Sequence, residues 1–558
     1  MRHLYTLFLL LLIGLTPLYA QTQSCYQSFF QEGRKAFDAL QFENAIAQFD
    51  AARACPTLTR QQQQEVTEWL DRAKNGYIDA ITKAKDEAER ARAQAEKAQK
   101  EAEREALISE ANRRAFLANQ EAEQGNKEDA LALAFTGLQL IEDNPIPSVR
   151  RAFGDAAFLN YANPLTEQEG ALLLARYSPD GSRILTVSRD NKARLWSAEG
   201  QLLATLQGHT APILDATFSP DGNQVATASA DNTARIWDAS GKTEATLTGH
   251  TDQVSGIVFS PDGENLLTWS RDHTARLWGA GGNLAATLDK HSAPILSASF
   301  SPDGNAIVTR GSDNMAVLWS RNGTLLTDKP RHQRHIYVAA FAPDSKSLLT
   351  CSADNTAKIW NLNGSLAAEL SGSEGLVSSG AFSPDGKYIL TASTDGAARI
   401  WDRKGNALKT IRAHSAWIQQ AAFSPDSRMI LTASWDNTAK LWDIKGNLLA
   451  VLDKHSGDVI MAAFSPDGSQ VLTASTDQTI KLWDLEGNVL MNIKAGAQRP
   501  AASFSPDSRQ ILALAGTGPE EAILCETPEV VYAKLKMTPP PPLPKEKRER
   551  YGLDGTGN

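Results

Sequence analysis

Three observations predict an all-β propeller of eight or nine four-stranded blades preceded by an all-α helical arm. Tryptophan recurs at Trp196, Trp237, Trp278, Trp319, Trp360, Trp401, Trp442 and Trp483, each 41 residues after the last. An aromatic keeps its own register ahead of each, at Tyr177, Phe218, Phe259, Phe300, Phe341, Phe382, Phe423 and Phe464. Most of these aromatics are followed by Ser-Pro-Asp-Gly, which is turn chemistry and ends a strand.

Within one period the apolar alternation marks four short strands, for example around Ile213 to Phe218, Gln224 to Ser229, Ala234 to Trp237 and Lys242 to Leu247. Four short strands at a 41-residue spacing make one propeller blade. A ninth repeat begins at Phe504, but Leu524 stands where the tryptophan is due and the turn aspartate is missing. It reads as strands through Leu524 and again around Val530 to Leu535, so the count stays at eight or nine. A strand near Phe158 to Tyr161 is expected to close the ring by pairing the two ends of the chain, which removes an open sheet edge.

These repeats resemble the WD-repeat family over roughly residues 160–535, and the Trp-Asp pair itself stands at Trp237-Asp238, Trp401-Asp402, Trp442-Asp443 and Trp483-Asp484. Elsewhere Ser, Gly or Asn replaces the aspartate. The resemblance implies an internal structural tetrad, which in the second repeat is His209, Ser229, Asp231 and Trp237. Histidines share that register at His209, His250, His291, His332, His414 and His455, and aspartates at Asp190, Asp231, Asp272, Asp313, Asp354, Asp395, Asp436 and Asp477. Evenly spaced histidines suggest a metal site, but a 41-residue spacing puts each in a separate blade, too far apart to share an ion. Ser373 and Gly496 occupy the histidine position, so two networks are expected to be incomplete.

In this family the positions just after the register histidine, and the one before the turn aspartate, lie on the top rim. Most repeats hold small or ordinary residues there, such as Pro212, Leu214 and Ala230. The seventh carries Trp417, Gln419 and Trp435, and the fifth His335 and Tyr337. Two readings stand side by side. Large rim aromatics are the residue types that dominate interaction hot spots, or they pack between blades.

Residues 26–160 carry helical periodicity. Phe29, Gly33, Ala45, Phe49 and Ala52 keep the offsets of a tetratricopeptide repeat, with Pro56 one place from its usual position. This resembles one repeat of that family. Stacked repeats normally need about three copies for stability, so a plain helical hairpin is the alternative. From Tyr77 a strict heptad follows through Ile81, Ala84, Ala88, Ala91, Ala95, Ala98 and Ala102. Glu87 and Glu101 flank one side of that seam, Lys85 and Arg92 the other, an arrangement that favours pairing across helices. Each alanine buries only a methyl group, on the order of 0.8 kcal/mol, so a salt-bridged spacer helix is the competing reading. Two shorter helices split at Gly125 and Asn126 follow, and Pro145 and Pro147 are expected to end the run. The stretch from Ala111 to Ala157 resembles the helical pair that precedes propellers in bacterial multidomain proteins.

Both ends of the chain carry signals of their own. Met1, Arg2 and His3 precede an apolar run from Leu4 to Leu18 and the small residue Ala20, which reads as a secretory signal too short for a stable span. The tail from Thr538 starts with Pro539 to Pro542, a stiff linker, and continues into a basic run read as solvated. The boundaries are 1–20 for the signal, 21–75 for the hairpin, 76–123 for the heptad helix, 124–160 for a helical linker, 161–535 for the propeller and 536–558 for the tail.

The four cysteines lack CxxC spacing, which argues against a cysteine zinc site. Cys25 and Cys55 flank the hairpin at its open end, where export makes a disulfide chemically reasonable, against two unrelated thiols. Cys351 and Cys525 fall inside predicted strands as small hydrophobes. A formal net charge of -9 runs against a nucleic-acid surface. No nucleophile motif, glycine-rich phosphate loop or metal-ligand spacing is present, so neither an enzyme nor a cofactor is expected. The expected function is that of a non-catalytic exported scaffold binding protein partners through its propeller and helical arm, with self-association through the heptad helix open. The alternatives are a carbohydrate- or small-ligand-binding propeller and an accessory subunit of an envelope or export machine.

Overall fold

The computed structural model describes residues 24–56, 58–167, 170–497, 499–515 and 521–553, so the predicted secretory signal lies outside the described residues. The chain divides into two compact units, one ending at Leu107 and the other beginning at Ile108.

The first unit is built from helix α1 over residues 24–38, helix α2 (Phe42–Arg53) and the beginning of helix α3 (Arg60–Glu123). Phe30, Ala45, Phe49 and Ala52 of the first two helices share one core with Val66, Leu70 and Ala73 of α3. A third helix therefore covers the face that a two-helix hairpin would leave open. Gly33 is where α1 meets the Phe49 ring; a Cβ there would stand 2.8 Å from ring carbons. Cys25 and Cys55 are joined as a disulfide, with Cα atoms 6.2 Å apart.

The second unit is a nine-bladed propeller with a helical layer. Blade one has strands Leu172–Tyr177, Arg183–Ser188, Ala193–Ser197 and Leu202–Leu206, and seven more four-stranded antiparallel sheets repeat it in order. The turn after each second strand carries a left-handed residue at Asn191, Asn232, His273, Asn314, Asn355, Gly396, Asn437 and Gln478, and asparagine tolerates that backbone best after glycine. The Ser-Pro-Asp turns are tied by the serine hydroxyl donating to the aspartate two residues on, as in Ser219 to Asp221 at 2.5 Å. The core lies between blades: Leu185, Leu195 and Leu206 of blade one pack with Ile213, Phe218 and Trp237 of blade two.

Blade nine joins the two ends of the fold. Its strands Ala501–Phe504, Gln510–Ala515 and Glu521–Glu526 come late in the chain, and the fourth, Asn163–Leu165, comes before blade one. Asn163 pairs with Leu524 and Leu165 with Ala522. The closing strand thus follows the 158–161 stretch that the sequence suggested, which is instead the last turn of helix α5 (Pro147–Tyr161). Pro164 is tolerated because this outermost strand has only one neighbour.

Three further expectations are corrected. Val530 to Leu535 is not strand but lies in helix α6 (Pro528–Met537), where Pro528 sits in the first turn and Val531 and Leu535 bury one face at a spacing of four. Pro147 opens helix α5 rather than closing the preceding one, helix α4 (Lys127–Gln139), because a first-turn proline lacks only an N–H that has no partner within the helix. The basic tail is not simply solvated. Helix α7 (Lys545–Arg550) returns, and Tyr551 and Leu553 are buried in a cluster with Ala111, Leu133, Phe153 and Val531. Arg113 donates to the carbonyls of Tyr551 and Gly552, and Lys547 pairs with Asp129.

Helix α5 covers the outer strand Val489–Lys494 of blade eight. Asp155 accepts the Asn492 backbone N–H at 2.7 Å, satisfying a donor on a strand edge.

Candidate functional site

Each blade's second strand holds a threonine whose hydroxyl organises the interior. In blade two, Trp237 Nε1 donates to Thr227 Oγ1 at 2.8 Å, His209 Nε2 lies 2.8 Å from the same oxygen, and His209 Nδ1 lies 2.8 Å from Asp231 Oδ2. The hydroxyl that completes this tetrad is therefore Thr227, not Ser229. Side chains alternate along a strand, so both point the same way, but only Thr227 lies level with the Trp237 ring. Ser229 sits nearer the turn, where its hydroxyl donates to the Ala211 and Pro212 carbonyls and accepts the Asp231 backbone N–H. The tryptophan-to-threonine bond recurs in blades one to eight at 2.7–3.1 Å.

Threonine, histidine and aspartate in this order have the connectivity of a hydrolytic relay. Yet Thr227 is 0% exposed and its oxygen already takes the Trp237 N–H, while the His209 side chain is 0% exposed. No substrate reaches these groups. Burial pushes His209 below its ordinary value, with Asp231 pulling the other way. Burial opposes the Asp231 carboxylate, but hydrogen bonds from Thr233, the Thr210 backbone N–H and His209 outweigh it and hold it at about 2.

Blade six, where Ser373 replaces the histidine, is not left incomplete. Arg399, nearly buried, donates to Asp395 at 2.7 Å and also reaches Ser393. In blade one Arg194 likewise donates to Asp190 at 2.7 Å. The buried aspartate needs a donor, and a long guanidinium from the third strand supplies it.

The rim above these tetrads carries the aromatic residues. The Trp417 and Trp435 rings pack with centroids 4.4 Å apart and planes tilted by 46°, and the Trp435 backbone N–H donates to the Trp417 carbonyl at 3.0 Å, which ties the two loops together. Trp417 Nε1 donates to Ser378 Oγ of blade six at 3.0 Å, so this indole bridges two blades. Trp435 remains 40% exposed. Gln419 is half-buried one residue past the start of the blade's first strand.

Blade five holds the second cluster. The His335 and Tyr337 rings meet edge to face at 5.1 Å, and Tyr337 is exposed. Burial lowers the His335 pKa, and the nearby Arg310 charge lowers it further. Arg310 is fixed by Ser297 Oγ at 2.9 Å and by the Ile336 carbonyl. Blade six separates the two clusters. The exposed Leu173, Leu214 and Leu296 share the register of Tyr337 at multiples of 41 residues, and so extend the apolar character of this face. The rim position of Leu214 was expected from its register, and Leu173 and Leu296 share it.

Among the described residues no group of His, Cys, Asp or Glu is arranged to hold a metal ion, and no helix is long and apolar enough to cross a membrane. Cys351 and Cys525 are buried free thiols, and burial pushes Cys525 up to about 12.

The chain matches the family described as the first β-propeller of IFT122 over residues 173–443 and again over 279–518. A solved structure of the C-terminal WD40 domain of Sif2 is similar at 22% sequence identity with a TM-score of 0.47, covering 56% of this chain and 95% of that one. No curated protein matches. The matched segments together run from 173 to 518, more than half of the chain, and they coincide with the tryptophan-bearing blades; the chain belongs to the WD-repeat β-propeller family described by the first propeller of IFT122.

Proposed function

We propose that this protein is a non-catalytic exported scaffold that binds protein partners through the propeller rim at Trp417, Gln419 and Trp435, with His335 and Tyr337 as a second contact. The carrying observation is Trp435, 40% exposed yet held in place by Trp417. A large, rigid, half-exposed aromatic is the kind of side chain that anchors an interface. The buried tetrads leave the interior chemically closed and the rim free to vary. Export is supported by the basic and apolar first twenty residues and by the Cys25–Cys55 disulfide, a bond that persists in oxidising compartments. The arm supplies a further contact, self-association through α3. An open tryptophan face also suits stacking on a sugar ring, which is the second reading.

The test is crosslinking with mass spectrometry in the native host, comparing wild type with Trp435→Ala, alongside glycan-array binding. Loss of specific protein crosslinks with an unchanged melting curve supports the scaffold. Retention of every crosslink by the variant overturns it. Array binding that Trp435→Ala abolishes favours the sugar reading. Fractionation that finds full-length chain in the cytosol with Met1 retained overturns export.

A further inference from the structure

The charges beside the seam of α3 select the direction in which two copies pair. The seam runs from Tyr77 to Ala102 in alternating steps of four and three residues. Every residue from 78 to 107 is exposed, so nothing in the described chain covers it. At its start it is not a stripe of alanine alone. Leu40, Ile78 and Ile81 are 74%, 59% and 51% exposed, and a groove of about 390 Å³ lies between the α1–α2 turn and Tyr77, Ile81 and Ala84. This apolar mouth gives a partner helix more surface than alanine methyls provide.

The residues on the two flanks are not equivalent. One flank carries Ile78, Lys85, Arg92 and Gln99, the other Ala80, Glu87, Gln94 and Glu101. In a parallel, in-register pair, a residue on the second flank of one helix faces the residue five positions later on the first flank of its partner. Glu87 then meets Arg92 of the second copy, and the twofold axis makes that contact twice. In an antiparallel pair like flanks face each other, so the alignment that sets Glu87 against Glu101 also sets Arg92 against Arg92 of the second copy. Arg92 is at present 3.1 Å from Glu96 in a pair whose side chains are 82% and 60% exposed. An exposed pair of this kind contributes little, so Arg92 is available to be shared.

We propose that two copies of this chain associate through α3 as a parallel, in-register coiled coil over residues 77–102, oriented by reciprocal Glu87–Arg92 pairs. This rests on the self-association reading of the arm. The test uses the purified full chain in sedimentation equilibrium together with cysteine crosslinking. Ala84→Cys and Ala98→Cys are expected each to crosslink to themselves, and a mixture of the two variants to give no mixed product. Glu87→Arg should weaken dimerisation by roughly tenfold, and Glu87→Arg combined with Arg92→Glu should restore it. Glu89→Arg, on the outer face of the same helix, should leave it unchanged and controls for loss of helix. A chain that stays monomeric at every concentration overturns self-association itself. A dimer that forms the mixed crosslink between the Ala84→Cys and Ala98→Cys variants, or that Glu89→Arg weakens as much as Glu87→Arg, overturns the parallel assignment alone.

Discussion

Gly154 of α5 lies directly against the backbone carbonyl of Leu490 in the outer strand of blade eight, and a Cβ at this glycine would overlap that oxygen. Leu490 is 2% exposed, whereas Leu449, 41 residues earlier on blade seven, is 50% exposed. The close approach is what lets α5 bury one blade's edge. Gly154→Ala is expected to push the helix off the strand and weaken the Asp155 bond to Asn492, at a cost of about 1–3 kcal/mol. A thermal melt reads this as a lower midpoint, and an unchanged midpoint refutes the tight contact.

Thr227 serves two partners at once. Thr227→Val keeps the shape but strands the His209 ring nitrogen and the Trp237 N–H in a dry interior, which should cost roughly 2 kcal/mol or more. Thr227→Ser retains the hydroxyl and should cost less than half as much. Urea unfolding of the two variants decides the matter, and equal losses would show that the hydroxyl is not what counts.

Acid should unfold the propeller in two stages. The buried His209, His250, His332, His414 and His455 are held below their ordinary value, by burial first. As pH falls through about 6.5 the unfolded chain takes up protons that these rings resist, so stability falls. Asp231, Asp354, Asp395 and Asp477 sit at about 2, their hydrogen bonds outweighing burial. Their stabilisation is complete above about 4 and is lost from there down to 2, again because the unfolded chain binds more protons. Urea midpoints at pH 8, 6, 5, 4 and 3 should decline throughout, more steeply at the last step, where the aspartates begin to take up protons in the unfolded chain. A midpoint that holds or rises on acidification contradicts the assignment.

Closure depends on a three-residue strand. Leu165 is fully buried and its strand is the outer neighbour of Glu521–Glu526. Leu165→Asp should open blade nine, and truncation before Pro500, which removes the other three strands, should go further and expose the flank of blade eight. Both variants are expected to melt lower and to aggregate in size-exclusion chromatography. A truncated chain with the wild-type melting curve would mean that the ring does not act as one closed structure.

The blades were legible because everything that defines one is local and repeats. Trp237, Phe218, the Pro-Asp-Gly turn and the alternation between them lie within 41 residues and need no knowledge of the rest of the chain. Trp417 and Trp435 could be singled out for the same reason, since no other repeat carries tryptophan in either register.

What only the tertiary structure decided concerns residues whose role depends on a neighbour far away in sequence. Val530 and Val531 have the β-branched look of a strand, but Val531 and Leu535 pack into one core with residues of α4 and α5, and burial on that helical face overrides local preference. Ser229 and Thr227 both point inward, and only the height of the Trp237 ring shows which hydroxyl it meets. Arg194 and Arg399 look like ordinary strand residues until the fold sets each beside an aspartate of the preceding turn. Asn163 to Leu165 becomes the closing strand because the free edge at Glu521–Glu526 has backbone groups to satisfy. Period and propensity act along the chain, whereas desolvated hydrogen-bonding groups select their partners across space.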